Sequence, residues 1–167
     1  MAFISKPTLV FLAAAPWCAL AVPAAAQAQQ EVREMQLRAN VVQGCNVTAQ
    51  PLIFSVPIGT TGRVRSTTSV VLTCTPNVAY EVSIDHGDHA LGVNRRMRNA
   101  TANAYVRYAI YRNASYSQVW SDKKNQRVSG NSGASGRQTL TAYGEATLNG
   151  VVQSGTYRDT VTVTVNY

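Results

Sequence analysis

The sequence predicts an all-β domain, and three observations support this fold class. After the first 28 residues, no window places apolar residues at the i, i+3, i+4 and i+7 spacing of an amphipathic helix. Short runs rich in Val, Thr, Tyr and Ile recur instead, separated by Gly, Asn, Ser and Pro. Several runs alternate apolar and polar residues. With 167 residues, the chain predicts one β-sandwich or barrel domain.

The predicted strands follow one another to the last residue. They lie at residues 35–44, 52–56, 65–74, 79–85, 104–111, 118–120, 137–143 and 157–167. Pro57, Pro76 and Gly87 end three of them, because Pro cannot donate to a ladder and Gly favours turns. The segments 87–102 and 121–136 are predicted to be loops, and the second is polar and rich in Gly and Ser.

The first 28 residues are predicted to be a secretory signal peptide. Lys6 precedes an uncharged run, residues 8–22, which small residues follow; cleavage after Ala26 and after Ala28 both fit. The run is about 15 residues, fewer than the roughly 20 of a membrane-spanning helix, which favours a cleaved signal over an anchor. We expect the mature domain, residues 29–167, to pass through the periplasm to the cell surface or the extracellular space.

Cys45 and Cys74 remain when Cys18 leaves with the signal. Two cysteines in an oxidising compartment are expected to pair. Closing a loop of about 30 residues restrains the unfolded chain by roughly 3–4 kcal/mol in the entropic account. We predict a structural disulfide, since two cysteines this far apart form no redox motif.

The chain is basic, with a net charge of +7 that becomes +6 when Lys6 is removed with the signal. An excess of basic over acidic residues is typical of proteins that bind nucleic acid or anionic surfaces. Most cations are scattered singly along predicted strands, and they do not interleave with aromatic residues as in proteins that bind single-stranded nucleic acid. We therefore expect a solvated basic surface and no nucleic-acid partner. Contact with acidic polysaccharide or lipid is the alternative.

The C-terminal segment gives the strongest strand signal. One face carries apolar residues, and they are Val161, Val163, Val165 and Tyr167. A long strand must pair along both edges or be protected, because an open edge invites other chains, and no Pro or Lys protects this one. Two interpretations remain open: a strand inside an ordinary sandwich, or an edge meant for another chain's strand.

Residues 31–43 offer a candidate for that other strand. Apolar Met35, Leu37, Ala39 and Val41 alternate with polar residues, so the segment can lie in a neighbour's groove. A strand added to a sheet edge gains main-chain hydrogen bonds, while alternate side chains fill pockets. Head-to-tail exchange of this kind does not close and therefore makes fibres.

Short motifs in a fixed order run through nearly the whole mature chain. They are Gly44-Cys45-Asn46-Val47, Leu52-Ile53-Phe54, Val71-Leu72-Thr73-Cys74-Thr75, Tyr80-Glu81-Val82-Ser83-Ile84-Asp85 with Gly87, Arg96-Met97, Val106-Arg107-Tyr108-Ala109-Ile110-Tyr111-Arg112, Val119-Trp120, Tyr143-Gly144 and Gly155-Thr156-Tyr157-Arg158-Asp159-Thr160-Val161-Thr162-Val163. Together they resemble the spore coat protein U-type domain found in subunits of archaic, Csu-like chaperone–usher pili. The chain departs from that pattern at Ser55-Val56-Pro57, where the family often has Gly-x-Tyr or a similar turn.

The resemblance implies a single immunoglobulin-like β-sandwich that lacks its final strand. A periplasmic chaperone would fill the gap first, an outer-membrane usher would receive the complex, and a neighbouring subunit's N-terminal strand would replace the chaperone. The C-terminal valines and Tyr167 would then line the acceptor groove, and residues 31–43 would be the donor strand. The implied function is a structural subunit of a secreted surface fibre, serving adhesion and biofilm formation.

The residues give little sign of catalysis or metal binding. His86 and His89 lie in a turn-like segment, and a polar hairpin tip is favoured over a metal site because the spacing matches no standard ligand set. Nucleotide-binding loops, nucleophile elbows and zinc-protease motifs are absent from the sequence. We expect no enzyme, no cofactor and no metal.

Two other functions stay open. One is a secreted carbohydrate- or surface-binding module, in which Trp120 and the tyrosines would stack on sugars. The other is a self-contained spore or cell coat protein with a complete sandwich. An unfilled position beside the C-terminal strand distinguishes the fibre subunit from a complete sandwich.

Overall fold

The computed structural model of the chain describes residues 35–40, 42–57 and 59–167. The predicted signal peptide lies outside these residues, as do residues 31–34 and Val41 of the predicted donor segment. Residues 40–167 form one compact unit, and the described residues 35–39 belong to a separate unit. No helix within the described ranges is long and apolar enough to cross a membrane.

The unit formed by residues 40–167 is a two-sheet β-sandwich, which confirms the predicted fold class. Its strands are β1 (Cys45–Ala49), β2 (Gly62–Cys74), β3 (Ala79–Ile84), β4 (Arg95–Asn99), β5 (Ala104–Tyr111), β6 (Val128–Asn131), β7 (Arg137–Leu148) and β8 (Val163–Asn166). Five strands form one sheet in the order β1-β2-β7-β5-β4, and three form the other in the order β6-β3-β8. Every ladder between them is antiparallel.

Alternating apolar residues of both sheets meet in the core between them. Leu72 of β2 and Val82 of β3 are fully buried, and Trp120 packs into the same cluster. The Trp120 indole Nε1 donates a hydrogen bond to the Val82 carbonyl at 2.9 Å. The binding-module alternative required Trp120 to stack on a sugar. Because Trp120 has no exposed surface, it cannot do so.

The disulfide joins β1 to β2. Cys45 lies directly opposite Cys74 in the ladder, and the two are bonded, which confirms the predicted pairing. Since β1 is the outer strand of its sheet, this bond attaches an edge strand covalently to the sheet interior.

Two predicted loops contain strands. β4 lies within residues 87–102 and β6 within residues 121–136. The prediction missed β4 because its inward residues are the buried Arg95, the half-buried Met97 and the buried Asn99, which show no apolar alternation. It missed β6 because Val-Ser-Gly-Asn is a mostly exposed edge strand.

Three predicted strands are wrong as regular strands, and the predicted strand 157–167 is a strand only over Val163–Asn166, with one earlier bridge at Arg158. Residues 35–40 and 42–44 form no strand, and neither do residues 52–56. Residues 118–120 make a single bridge, between Val119 and Tyr111. In residues 52–56 the apolar side chains pack instead of pairing: Leu52 and Phe54 cover Gly144 of β7, whose missing side chain leaves them room. Sequence alternation identified apolar faces here without identifying a ladder.

Candidate functional site: the seam between two edge strands

Two edge strands of different sheets lie beside each other. β8 ends the three-stranded sheet and pairs with β3 on one side; no strand in the described ranges pairs with its other side. β1 ends the five-stranded sheet and pairs with β2. Because β1 and β8 are neighbours in space, their unpaired edges flank one seam between the sheets.

The predicted groove residues of β8 and the segment before it lie along this seam. Val161, Val163 and Val165 are half-buried and pack against the main core cluster, while the residues between them are exposed. On the opposite side of the seam, Val47 of β1 is half-buried against the same cluster. Tyr167 lies further out, with 61% of its surface exposed. The seam is therefore apolar, and its inward side chains are only partly covered.

An open apolar groove of about 510 Å³ lies between chain segments that flank these two strands in sequence, and no residue of β1 or β8 lines it. One wall is the segment that follows β1 along the chain, and the other is the segment that leads into β8. Prominent lining residues are Leu52, Phe54, Met97, Val106, Leu148 and Tyr157. None of these was predicted to line a groove; the available signal was the apolar Leu52-Ile53-Phe54 run, which forms no ladder.

A buried carboxylate fixes the wall before β8. The Asp159 side chain is 2% exposed. Its oxygens accept hydrogen bonds from the Tyr108 hydroxyl at 2.6 Å and from the His89 backbone N–H at 3.0 Å, and His89 Nδ1 lies 2.9 Å away. Gly87, at a φ of 82°, comes so close to this carboxylate that a Cβ atom would collide with it.

A second carboxylate ties the same wall to β3. Asp85 Oδ1 accepts hydrogen bonds from the Thr162 backbone N–H at 2.8 Å and from the Gly87 N–H at 3.1 Å. Arg95 is buried beneath, and its guanidinium donates to the Asp85 and Ile84 carbonyls at 2.8 Å. Burial lowers the pKa of Arg95. Side-chain bonds thus add to the backbone hydrogen bonds of Arg158, Thr160 and Thr162 in positioning residues 158–162, where the regular β3–β8 ladder has not yet begun.

The two histidines of this turn contact different carboxylates. His86 Nδ1 lies 3.5 Å from Asp122, whereas His89 contacts Asp159. Among the residues that the structure describes, no three metal-binding side chains come together. Of the two, His89 contacts the segment before β8, through Asp159, whereas His86 contacts the segment that follows Trp120, through Asp122.

The Tyr108–Asp159 contact predicts a loss of stability in alkali. Burial, and then the hydrogen bond to Asp159, raise the pKa of Tyr108 far above its ordinary value. A tyrosine in the unfolded chain ionises near pH 10. The contribution of Tyr108 to the free energy of unfolding is therefore complete below about pH 10, and it declines as the pH rises further, by at most ~1.4 kcal/mol per pH unit. Urea unfolding at increasing pH measures this slope. The Tyr108→Phe variant should have a shallower slope, and an equal slope would contradict the prediction.

The chain matches the Spore Coat Protein U domain over residues 31–164. It is also similar to a chain in the crystal structure of the CsuC–CsuE chaperone–tip adhesion subunit pre-assembly complex, from the archaic chaperone–usher Csu pili of Acinetobacter baumannii. Identity is 27% and the TM-score is 0.56, over 76% of this chain and 40% of that one. This chain therefore spans less than half of that structure's chain.

No curated protein matches the chain. The domain match nevertheless extends from residue 31 to residue 164, across both sheets, the disulfide and the seam between the edge strands. The protein belongs to the Spore Coat Protein U domain family.

Proposed function

We propose that the protein is a structural subunit of a chaperone–usher surface fibre and that its subunits join by donating β-strands to one another. The supporting observation is the seam, where two unpaired strand edges flank half-buried valines. An unpaired edge together with partly covered apolar side chains is the arrangement that an added strand completes. Val161, Val163, Val165 and Tyr167 form the proposed acceptor wall.

The proposed donor strand is residues 31–43. Its described apolar side chains are exposed, Met35 at 79% and Leu37 at 82%, and Ala39 is exposed as well. Residues 35–40 form neither helix nor strand. Apolar side chains at alternate positions of an extended segment fit the pocket spacing of a sheet edge. Val41 completes the proposed series.

The partners and the location follow from this assembly. The proposed signal peptide, residues 1–28, directs export, and the mature domain begins at residue 29. A periplasmic chaperone holds the seam, an outer-membrane usher receives the subunit, and neighbouring subunits of the same or another kind replace the chaperone. The similar crystal structure is itself a chaperone–subunit complex. The fibre serves adhesion and biofilm formation and needs no catalysis.

A peptide that supplies the missing strand tests the proposal. Residues 29–167 are refolded alone and with an excess of a peptide spanning residues 31–43. Alone, the chain is expected to polymerise or to be marginally stable. The peptide should keep it monomeric and add about 2.7 kcal/mol of stability at a free concentration of about 100 Kd. Size-exclusion chromatography and thermal unfolding measure both effects.

The control is the same peptide with Met35 and Leu37 replaced by Ser, which keeps the length and the backbone but removes two apolar contacts. This peptide should neither prevent polymerisation nor raise stability. A chain that refolds alone into a cooperative, soluble monomer, unaffected by the donor peptide, would instead support a self-contained coat protein.

A further inference from the structure

Arginines lie in one row across the outer face of the five-stranded sheet. Arg96 of β4 is directly opposite Arg107 of β5. Arg107 and Arg63 of β2 are both opposite Thr147 of β7. The order across the sheet is therefore Arg63, Thr147, Arg107, Arg96, and three arginines fall within about 15 Å at the usual strand spacing. We call these three residues the arginine row.

The row faces away from the core. The residues next to it along the strands, Val64, Val106 and Met97, pack with the buried Ala146 and Leu148 in an apolar cluster between the sheets, so the arginines point to the other side of the sheet. The Arg63 side chain is 69% exposed, Arg107 is exposed and Arg96 is half-buried.

Within the row, a carboxylate compensates the positive charge of Arg63 and not that of Arg96 or Arg107. Like charges directly opposite each other on neighbouring strands repel. Glu145 is the buried acid of this face, and it lies 2.9 Å from Arg65 and 3.6 Å from Arg63. In the part of the chain that the structure describes, no carboxylate forms an ion pair with Arg96 or Arg107.

Part of the row lines a shallow depression of about 250 Å³. Arg96 is held in place there: its Nε donates to the His89 carbonyl at 3.0 Å, and its guanidinium lies 4.3 Å from the centre of the Tyr105 ring. Arg107, Thr147 and Asn149 also line the depression. It thus combines two guanidinium groups with a hydroxyl and an amide.

We propose that the arginine row binds an acidic polysaccharide by pairing with the carboxylates of the polysaccharide. A guanidinium pairs with a planar carboxylate through two parallel hydrogen bonds, and the bound anion relieves the repulsion between Arg96 and Arg107. The hydroxyl of Thr147 and the amide of Asn149 are suited to sugar hydroxyls. A linear row on an open sheet face fits an extended polymer that carries many carboxylates.

Nucleic acid fits this face less well. Single-stranded nucleic acids stack their bases on aromatic rings. Here the rings of Tyr105 and Tyr116 already carry guanidinium groups, those of Arg96 and Arg65, at 4.3 and 4.0 Å.

The row also lies on the outer sheet face, with Arg96 on β4 at the edge opposite β1. Polysaccharide binding therefore does not depend on strand exchange at the seam.

Binding of the full secreted chain to immobilised alginate, a polyuronate, tests the proposal, with neutral dextran as the reference. The wild type should bind alginate and not dextran, and about 0.5 M salt should weaken binding by roughly tenfold or more, because salt screens exposed charges. Arg107→Glu should lower the affinity by about tenfold or more, since it replaces an attraction to carboxylate by a repulsion, while Arg107→Lys should lower it less.

Arg137→Glu is the matched control. Arg137 is exposed at the start of β7, opposite Thr73, far along the same sheet from the row. This variant has the same change in net charge and should keep its affinity within roughly twofold of wild type, since screening confines the effect to nearby charges. An equal loss in both variants would show a response to net charge alone and would overturn the assigned site.

Other outcomes also overturn the proposal. Equal binding to dextran, or unchanged alginate binding by Arg107→Glu, would exclude the row. Stronger binding to anionic phospholipid vesicles or to single-stranded DNA than to alginate would exclude polysaccharide as the partner. Arg96→Gln provides a second variant if Arg107→Glu fails to fold. If the chain binds alginate but does not respond to the 31–43 peptide, the polysaccharide site stands and strand exchange is refuted.

Discussion

Replacing Leu37 with Asp is expected to convert polymers of the protein into monomers. In the proposed fibre this side chain is buried in the neighbour's seam, and burying one aliphatic side chain contributes roughly 1.5–3 kcal/mol. Aspartate removes that contribution and adds the free-energy cost of burying a charge. A combined loss of about 4 kcal/mol lowers the affinity of each joint by about a thousandfold. Size-exclusion chromatography and electron microscopy of the secreted protein measure the change.

Leu37 is a favourable position for this test because it is 82% exposed in the free chain. Its replacement should therefore leave the stability of the subunit itself nearly unchanged. Gln36→Asp is the matched control, since alternation places its side chain on the opposite face of the donor strand. Fibres of normal length in the Leu37→Asp protein would refute the role of this segment, as would an equal defect in the Gln36→Asp protein.

Removing the disulfide is expected to cause the second large effect. With Cys45 and Cys74 both replaced by Ser, the unfolded chain regains the freedom of a loop whose ends are 29 residues apart. The entropic account gives a loss of about 3.5 kcal/mol, which is a large part of the 5–15 kcal/mol typical of a domain. The melting temperature should fall by roughly 10 °C.

The consequence extends to the seam, because the bond attaches β1 to β2 beside the edge that a donor strand would contact. The Cys45→Ser/Cys74→Ser protein should therefore bind the 31–43 peptide more weakly as well as unfold earlier. Urea unfolding of the peptide-bound form measures stability with assembly suppressed. Wild type treated with a reductant should match the double variant, and Asn46→Ser, on the same strand, should remain close to wild type. Equal unfolding midpoints for the oxidised wild type and the double variant would contradict the prediction.

The local alternation of apolar and polar residues was sufficient to predict several elements of the fold. The segment 104–111 was predicted as a strand and is β5, Ala104–Tyr111, because Val106, Tyr108 and Ile110 all face the core. The C-terminal alternation likewise placed three valines on the inward face. The disulfide followed from the cysteine count and the predicted export, without knowledge of the ladder that sets Cys45 opposite Cys74.

The alternation of apolar and polar residues did not reveal which strand, if any, a segment pairs with. In residues 52–56 it identified a face, but Leu52 and Phe54 pack over Gly144 of β7 without joining a ladder. At residues 35–40 it predicted a half-buried strand, whereas the described side chains are exposed. The period of a strand specifies which side chains share a face, and it carries no information about which edge, in which chain, that strand meets.

By itself, the sequence determined the all-β class, the disulfide and the apolar face of the C-terminal strand, since each depends on neighbouring residues or on residue type. Only the tertiary structure decided that Asp159 is buried against Tyr108 and His89, which are 51 and 70 residues away in the chain. The same holds for the alignment of Arg63, Arg107 and Arg96 across three strands. Both depend on the register between distant strands, which is set by the packing of the whole core.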